Sequence, residues 1–151
     1  RLECGTLGVI GTASLKAGVS FVQQKTTAAI FQHENRLCAQ FCAALQDVPE
    51  ITVYREPGVS YVPLVSFAVK NASPEETAQW LNQQGFCLRA GLHCAPLAHE
   101  KLKTRDGTVR FAPSVFSRES DTLRLTKALK NYVNILKNRE NLLKKSSDML
   151  Q

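Results

Sequence analysis

SPEETAQWLNQQGFCLR, residues 73–89, reads as a helix followed by a strand, and the fold is decided by what flanks it. Ser73 suits the N-cap, Pro74 the first helical position, and Glu76 at the third can answer Ser73 in a capping box. Ala78, Trp80 and Leu81 give this helix its apolar side chains, and Gly85 is a good residue to stop it. Phe86 to Arg89 then returns as a strand. Upstream, Val62 to Val69 is a second strand, with Val65, Phe67 and Val69 pointing one way. Pro63 sets its beginning at an edge or irregular position. Glu56-Pro57-Gly58 is a turn, and Ile51-Thr52-Val53-Tyr54, β-branched and aromatic, is a short strand before it. A helix should run from Thr26 or Thr27 to Gln46, with Ile30, Leu37, Cys38, Phe41, Ala44 and Leu45 on its apolar face and Pro49 ending it. After Gly5, Gly8 and Gly11, the stretch Thr12 to Val22 has helical composition.

Downstream of the quoted stretch, Gly91 to Arg105 reads as loop or short helix. Gly107 to Phe111 is a strand after an Asp-Gly turn. The last helix should begin near Ser117, which can cap it, with Glu119 and Asp121 complementing the dipole of its first turn. Leu125, Leu129, Tyr132, Val133 and Leu136 form its buried stripe. The stripe fades beyond Asn138, where the end is expected to fray. Helices segregated around a few short strands make an α+β arrangement: a small, mostly antiparallel sheet with helices packed mainly on one face.

Composition narrows the function classes. The chain has 151 residues, 44% hydrophobic and 21% charged, proportions of a folded domain rather than a disordered one. Lys+Arg is 19 and Asp+Glu is 13, a net charge of +6. Arg124, Lys127, Lys130, Lys137, Arg139, Lys144 and Lys145, against Glu140 alone, carry that whole excess. Such a stripe is ordinarily a solvated helix face. No zinc finger, RNP sequence or aromatic-basic alternation accompanies it, so nucleic acid is not an expected partner. No apolar run approaches the roughly 20 residues of a membrane helix, and no membrane association is expected. Residues 1–6 form no signal-peptide core. The chain opens on Arg1 rather than on Met, and we expect a piece of something longer. Five cysteines, Cys4, Cys38, Cys42, Cys87 and Cys94, an odd number, favour free thiols and a reducing compartment, the cytoplasm. Without a Cys-x-x-Cys pair, no metal site is expected. Cys38 and Cys42 share one helix face and read as small buried hydrophobes.

The densest chemistry lies in Arg89-Ala90-Gly91-Leu92-His93-Cys94-Ala95-Pro96, on a loop at a strand end. A thiolate is the attacking form of cysteine, and an imidazole or guanidinium close by would favour it. A structural Cys94 beside an incidental His93 fits the spacing equally well. Arg110, between apolar residues in a short strand, offers the planar fork that grips a carboxylate. A surface salt bridge fits the same pattern. Gly5-Thr6 precedes a helix, a place where backbone N–H groups and a hydroxyl can hold phosphate. His33-Glu34 lies mid-helix without a second His at metalloprotease spacing and reads as structural. His99 has no evident partner.

Three separate motifs, in order, resemble one family. Arg1-Leu2-Glu3-Cys4-Gly5-Thr6 is similar to an R-[FL]-E-x-G-T segment, and Arg89 to His99 to an R-A-G-x-H-C-A loop. Gly107-Thr108-Val109-Arg110-Phe111, followed by Ser117 to Asp121, is similar to a G-T-[VI]-R segment and the helix after it. The chain resembles the C-terminal small domain of class V aminotransferases of the cysteine desulfurase group, which are fold-type I pyridoxal phosphate enzymes. The resemblance implies a small domain over residues 1–138 and a charged, frayed tail over 139–151, with the large cofactor domain absent from this chain. It implies an enzyme that takes sulfur from L-cysteine as a persulfide on Cys94, releases alanine, and works as a homodimer with a sulfur-acceptor protein possible. Arg110 would grip the substrate carboxylate, with Arg89 and His93 beside it. Thr6 with Gly5 would reach the phosphate of pyridoxal phosphate, whose Schiff-base lysine is not in this chain. The isolated chain is expected to be inactive. Alternatives are another class V aminotransferase, a selenocysteine or cysteine sulfinate lyase, or a non-catalytic interaction module of the same fold. Two stretches depart from the family pattern: Ala112-Pro113-Ser114-Val115-Phe116 after Arg110, and Gly8-Val9-Ile10 after Gly5-Thr6.

Overall fold

The computed structural model describes residues 5, 8–56 and 58–148. The elements in chain order are α1 (Val9–Lys25), α2 (Thr27–Leu45), β1 (Ile51–Val53), β2 (Val65–Val69), α3 (Pro74–Gln83), β3 (Arg89–Gly91), α4 (Pro96–Lys101), β4 (Thr108–Phe111) and α5 (Glu119–Asp148). The four strands lie in the order β1-β2-β4-β3, and every pair is antiparallel. This is the α+β class expected from the sequence.

Side chains alternate across the pleat, so the register sorts them into two faces. Ile51 opposes Val69, Phe67 pairs with both Val53 and Val109, and Val65 opposes Phe111. Those residues form the apolar face. Cys38, Phe41 and Leu45 of α2, Leu81 of α3, and Leu125, Leu129, Tyr132 and Val133 of α5 close over it in one cluster. The helices that supply the core are therefore on one side of the sheet. Each large side chain buried there contributes about 1.5–3 kcal/mol, and Phe41 stacks on Phe111 at a centroid distance of 4.6 Å. Helix α1 buries none of its residues. Its Phe21 ring lies against Phe116 at 5.5 Å. Among the described residues no helix is long and apolar enough to cross a membrane.

Local signals place α3 where the sequence puts it. The Ser73 hydroxyl accepts from the Glu76 N–H at 3.1 Å, and the Glu76 carboxylate accepts from the Ser73 N–H at 2.9 Å. Helix α2 begins at Thr27, with the Thr26 hydroxyl accepting from the Ala29 N–H at 3.2 Å. Cys38 is buried and Cys42 is half-buried.

Several boundaries differ from expectation: α1 runs Val9–Lys25 rather than Thr12–Val22, β1 ends at Val53 rather than Tyr54, and β2 begins at Val65 rather than Val62. Strand β3 covers Arg89–Gly91 rather than Phe86–Arg89. Continuing the Arg89–Arg110 register would set Phe86 opposite Pro113, which has no N–H for the ladder. Ser117 does not cap α5, because its hydroxyl accepts from the Ser114 N–H instead, at 3.0 Å. The Arg118 N–H before α5 is satisfied by the Asp121 carboxylate at 3.0 Å. Helix α5 continues to Asp148, well past Leu136, the last residue of the stripe. An i,i+4 ion pair between Glu140 and Lys144 at 3.1 Å supports the extension. The turn expected at Glu56-Pro57-Gly58 includes Pro57, which lies outside the described residues.

Candidate active site

The non-core face of the sheet carries the chemistry. Arg110 pairs with Ser66 on one side and Arg89 on the other, so both guanidinium groups project from the same face. Their placement follows from the buried neighbours: Val109 points into the core and fixes Arg110 outward. Like charges directly opposite on a sheet repel. Among the described residues, neither Arg89 nor Arg110 is in an ion pair.

Beyond β3 the chain turns sharply. The Ala95 N–H donates to the Leu92 carbonyl at 2.9 Å. The two residues inside that turn, His93 and Cys94, have φ of 51° and 60°. The turn carries Cys94 to the surface, where its Sγ accepts from Nη2 of Arg89 at 3.8 Å. Arg89, Cys94 and Arg110 are thus brought together by one strand pair and one turn.

His93, beside Cys94 in the turn, is half-buried. Its Nε2 is 3.0 Å from the Thr108 carbonyl oxygen, which only accepts, so Nε2 carries the proton. In the neutral ring Nδ1 is then bare, and it is buried without a hydrogen-bond partner among the described residues. Burial pushes the imidazole below its ordinary range. The bond to Thr108 opposes that, and the positive charges of Arg110 and Arg89, with His99, add to the downward shift. A ring in this setting stays neutral at physiological pH.

Two glycines make the site possible. Gly91 and Gly107 approach so closely that a Cβ on Gly107 would stand 2.3 Å from the Gly91 carbonyl carbon. Both have φ in the left-handed region, +101° and +89°. Sequence reading missed His99. It is buried, its Nδ1 lies 2.8 Å from the Thr104 hydroxyl, and its ring sits 6.0 Å from that of His93. The signal available was Thr104 five residues on, across a short helix. His33 is structural as expected, with Nε2 2.9 Å from the Ser117 carbonyl oxygen.

Of the two residues expected at a cofactor phosphate, Gly5 is exposed with φ +97° and open space beside it, and Thr6 lies outside the described residues. An aldehyde cofactor held as a Schiff base needs a lysine amine at the site. Every lysine of the chain is exposed, and none stands on β3, β4 or the 92–95 turn. The residues present fit the anionic end of a substrate and a reacting thiol. They do not fit the covalent attachment of the cofactor.

The chain is similar in sequence and fold to proteins already described. A probable cysteine desulfurase of Vibrio cholerae is 30% identical over 137 residues, covering 90% of this chain and 33% of that protein. A cysteine desulfurase of Synechococcus elongatus is 33% identical over 96 residues, covering 63% of this chain and 15% of its own. The chain thus spans a third or less of these curated relatives' length. Among solved structures, apo cysteine desulfurase from Thermococcus onnurineus superposes with a TM-score of 0.80 at 25% identity, over 89% of this chain and 33% of that one. The S-sulfonic acid form of an Escherichia coli cysteine desulfurase shares the fold at a TM-score of 0.77 and 23% identity, over 89% of this chain and 33% of its own. Residues 1–125 match the model of one family, and by that match the chain belongs to the class-V aminotransferases.

Proposed function

We propose that this chain is the small domain, residues 1–138 with a basic extension at 139–151, of a cysteine desulfurase-like enzyme. Cys94 takes the sulfur of L-cysteine as a persulfide. One observation carries the reading: an exposed Cys94 thiol 3.8 Å from the Arg89 guanidinium, with Arg110 directly opposite Arg89 on the neighbouring strand. Arg110 is the bidentate partner for the substrate carboxylate. Arg89 bridges the carboxylate end and the sulfur end of the site. The Cys94 sulfur forms an S–S bond with the substrate sulfur while the substrate C–S bond breaks. The bonding pair leaves with carbon, which takes up one proton, the one released by the Cys94 thiol, to become the methyl group of alanine, while the other thiol proton stays with the persulfide. Sulfur, hydrogen and electrons balance without an outside oxidant.

Pyridoxal phosphate, the cofactor of the family, supplies the electron sink when bound. Its attachment belongs to the rest of the enzyme. The substrate, the homodimer and a sulfur-acceptor protein are part of the same proposal. So is a cytoplasmic setting, which four free cysteines among the described residues support.

The test is made in the two-domain enzyme that this reading requires. Cys94→Ser should abolish persulfide formation and leave the cofactor's absorbance unchanged. Retained desulfuration would remove Cys94 from the role. The isolated chain, mixed with pyridoxal phosphate, should give no stoichiometric aldimine absorbance and no alanine.

A further inference from the structure

We propose that His93 is a positioning residue: its Nε2–H clamps the 92–95 turn onto the carbonyl of Thr108, and that clamp holds the Cys94 sulfur at Arg89.

A bond from the Ala95 N–H to the Leu92 carbonyl, with positive φ at both central residues, is the pattern of a type I′ turn. That turn favours Asn and Gly at its centre, because a Cβ crowds left-handed backbone. Here the centre is His93-Cys94, two residues with full side chains. Neither supplies the conformation from its own preference, so something outside the turn must hold it. Among the described residues, the hydrogen bond from the turn to β4 is made by the His93 ring, at 3.0 Å from the Thr108 carbonyl oxygen. Thr108 is itself fixed, buried and paired with Gly91 in the ladder. The clamp therefore ties the turn to a buried residue of an interior strand, flanked by β2 and β3, and sits one residue from the thiol it presents.

Its chemistry is also determinate. The bond needs a proton on Nε2, and the bare Nδ1 has no partner among the described residues. A second proton on the ring would face the Arg89 and Arg110 guanidinium groups and the His99 imidazole, all of which oppose it. The ring is thereby kept as a neutral donor rather than used as an acid. His93 thus acts through Cys94, and its role differs from that of the carboxylate-gripping Arg110.

This inference rests on the proposed reading of Cys94 for its purpose, but its test does not need turnover. In the full chain labelled with 15N-histidine, ring nitrogen shifts and couplings should show His93 neutral, with the proton on Nε2 at neutral pH. A proton on Nδ1, or a charged ring, would overturn the clamp without any mutation. In parallel, iodoacetamide labelling of Cys94 is measured by peptide mass against exposed Cys87 as internal reference. His93→Ala should lower the Cys94:Cys87 ratio about fivefold, the factor that one ordinary hydrogen bond commands. His93→Gln, whose amide N–H reaches the same distance from the backbone, should restore it to within about twofold. A glutamine variant that behaves like alanine, or an alanine variant that behaves like the parent, overturns the proposal. Persulfide formation in Cys94→Ser tests the other reading separately, because the readouts above are taken on chains that keep Cys94 and need no turnover.

Discussion

Arg89 and Arg110 stand directly opposite each other across the β3–β4 ladder, two positive charges on one face of the sheet. Facing like charges cost a few tenths to about 1 kcal/mol, and among the described residues no carboxylate pairs with either. An anion lying between them would be stabilised by both. Without such an anion, Arg110→Gln should leave the chain as stable as the parent, or more stable by up to about 1 kcal/mol. With sulfate replacing chloride at equal ionic strength, the parent's melting temperature should rise more than that of Arg110→Gln. Equal gains would mean that the arginine pair is not an anion site. In the intact enzyme the same substitution should weaken carboxylate substrate binding about tenfold or more, since charged hydrogen bonds contribute about 1.5–3 kcal/mol.

Gly107 and Gly91 test whether the site depends on backbone contact. A Cβ on Gly107 would lie 2.3 Å from the Gly91 carbonyl carbon, with φ of +89° adding strain. Neither backbone can yield without breaking the Gly91–Thr108 pairing. Gly107→Ala should cost about 3 kcal/mol or more in urea unfolding, as overpacking and left-handed strain together require. Gly85→Ala shares a positive φ, +84°, but meets nothing within 4 Å. It should cost only about 1–2 kcal/mol, and similar losses at the two positions would refute the close-approach argument.

What the sequence discloses follows from how local each cause is. Helix α3 can be read to within a residue or two because cap, N1 proline and N3 carboxylate all lie within one turn of chain. The apolar face of β2 is equally plain, since alternation is carried by its own five residues. Strand β3 slides because its extent is set by β4, whose run into Pro113 removes a ladder donor far away in sequence. The candidate site divides the same way. Arg89, His93 and Cys94 announce themselves as residue types in one short loop. The contact of Arg89 with the sulfur does not, because it arises from two left-handed residues whose side chains give no hint of that backbone. His99 is hidden for a related reason: its partner becomes visible only once α4 has formed and Thr104 folds back beneath it.

The reciprocal bonds between Ser73 and Glu76 make a separable test of the fold. Ser73→Ala removes the hydroxyl that accepts from the Glu76 N–H, and should cost about 1 kcal/mol. The Ser73 backbone N–H, aided by the Ser73 hydroxyl, holds the Glu76 carboxyl below its ordinary value. A depressed folded pKa means that the unfolded chain binds the proton first as pH falls. The stabilising contribution is therefore complete above the ordinary glutamate range and fades as pH drops through it. Glu76→Gln should flatten this part of the acid limb in equilibrium unfolding, and an unchanged limb would show that the carboxylate bond is absent in solution.

Cys38 gives the opposite pH signature, at the alkaline end. Burial in the α2 core raises its thiol from 9.0 to about 11, against the attraction of the nearby Arg55 charge. Between those values the unfolded chain has released the proton and the folded chain still holds it. The folded state then binds more protons, so stability falls with rising pH across that window. Cys38→Ala should lose some stability at neutral pH to the missing sulfur, yet show a shallower decline from pH 9 to 11 than the parent. Iodoacetamide at pH 8 should label exposed Cys87 and Cys94 in the folded chain and spare Cys38 until urea unfolds it. Prompt labelling of Cys38 without denaturant would show that α2 does not stay packed over the sheet, and the alkaline loss of stability should then be the same in the parent and in Cys38→Ala.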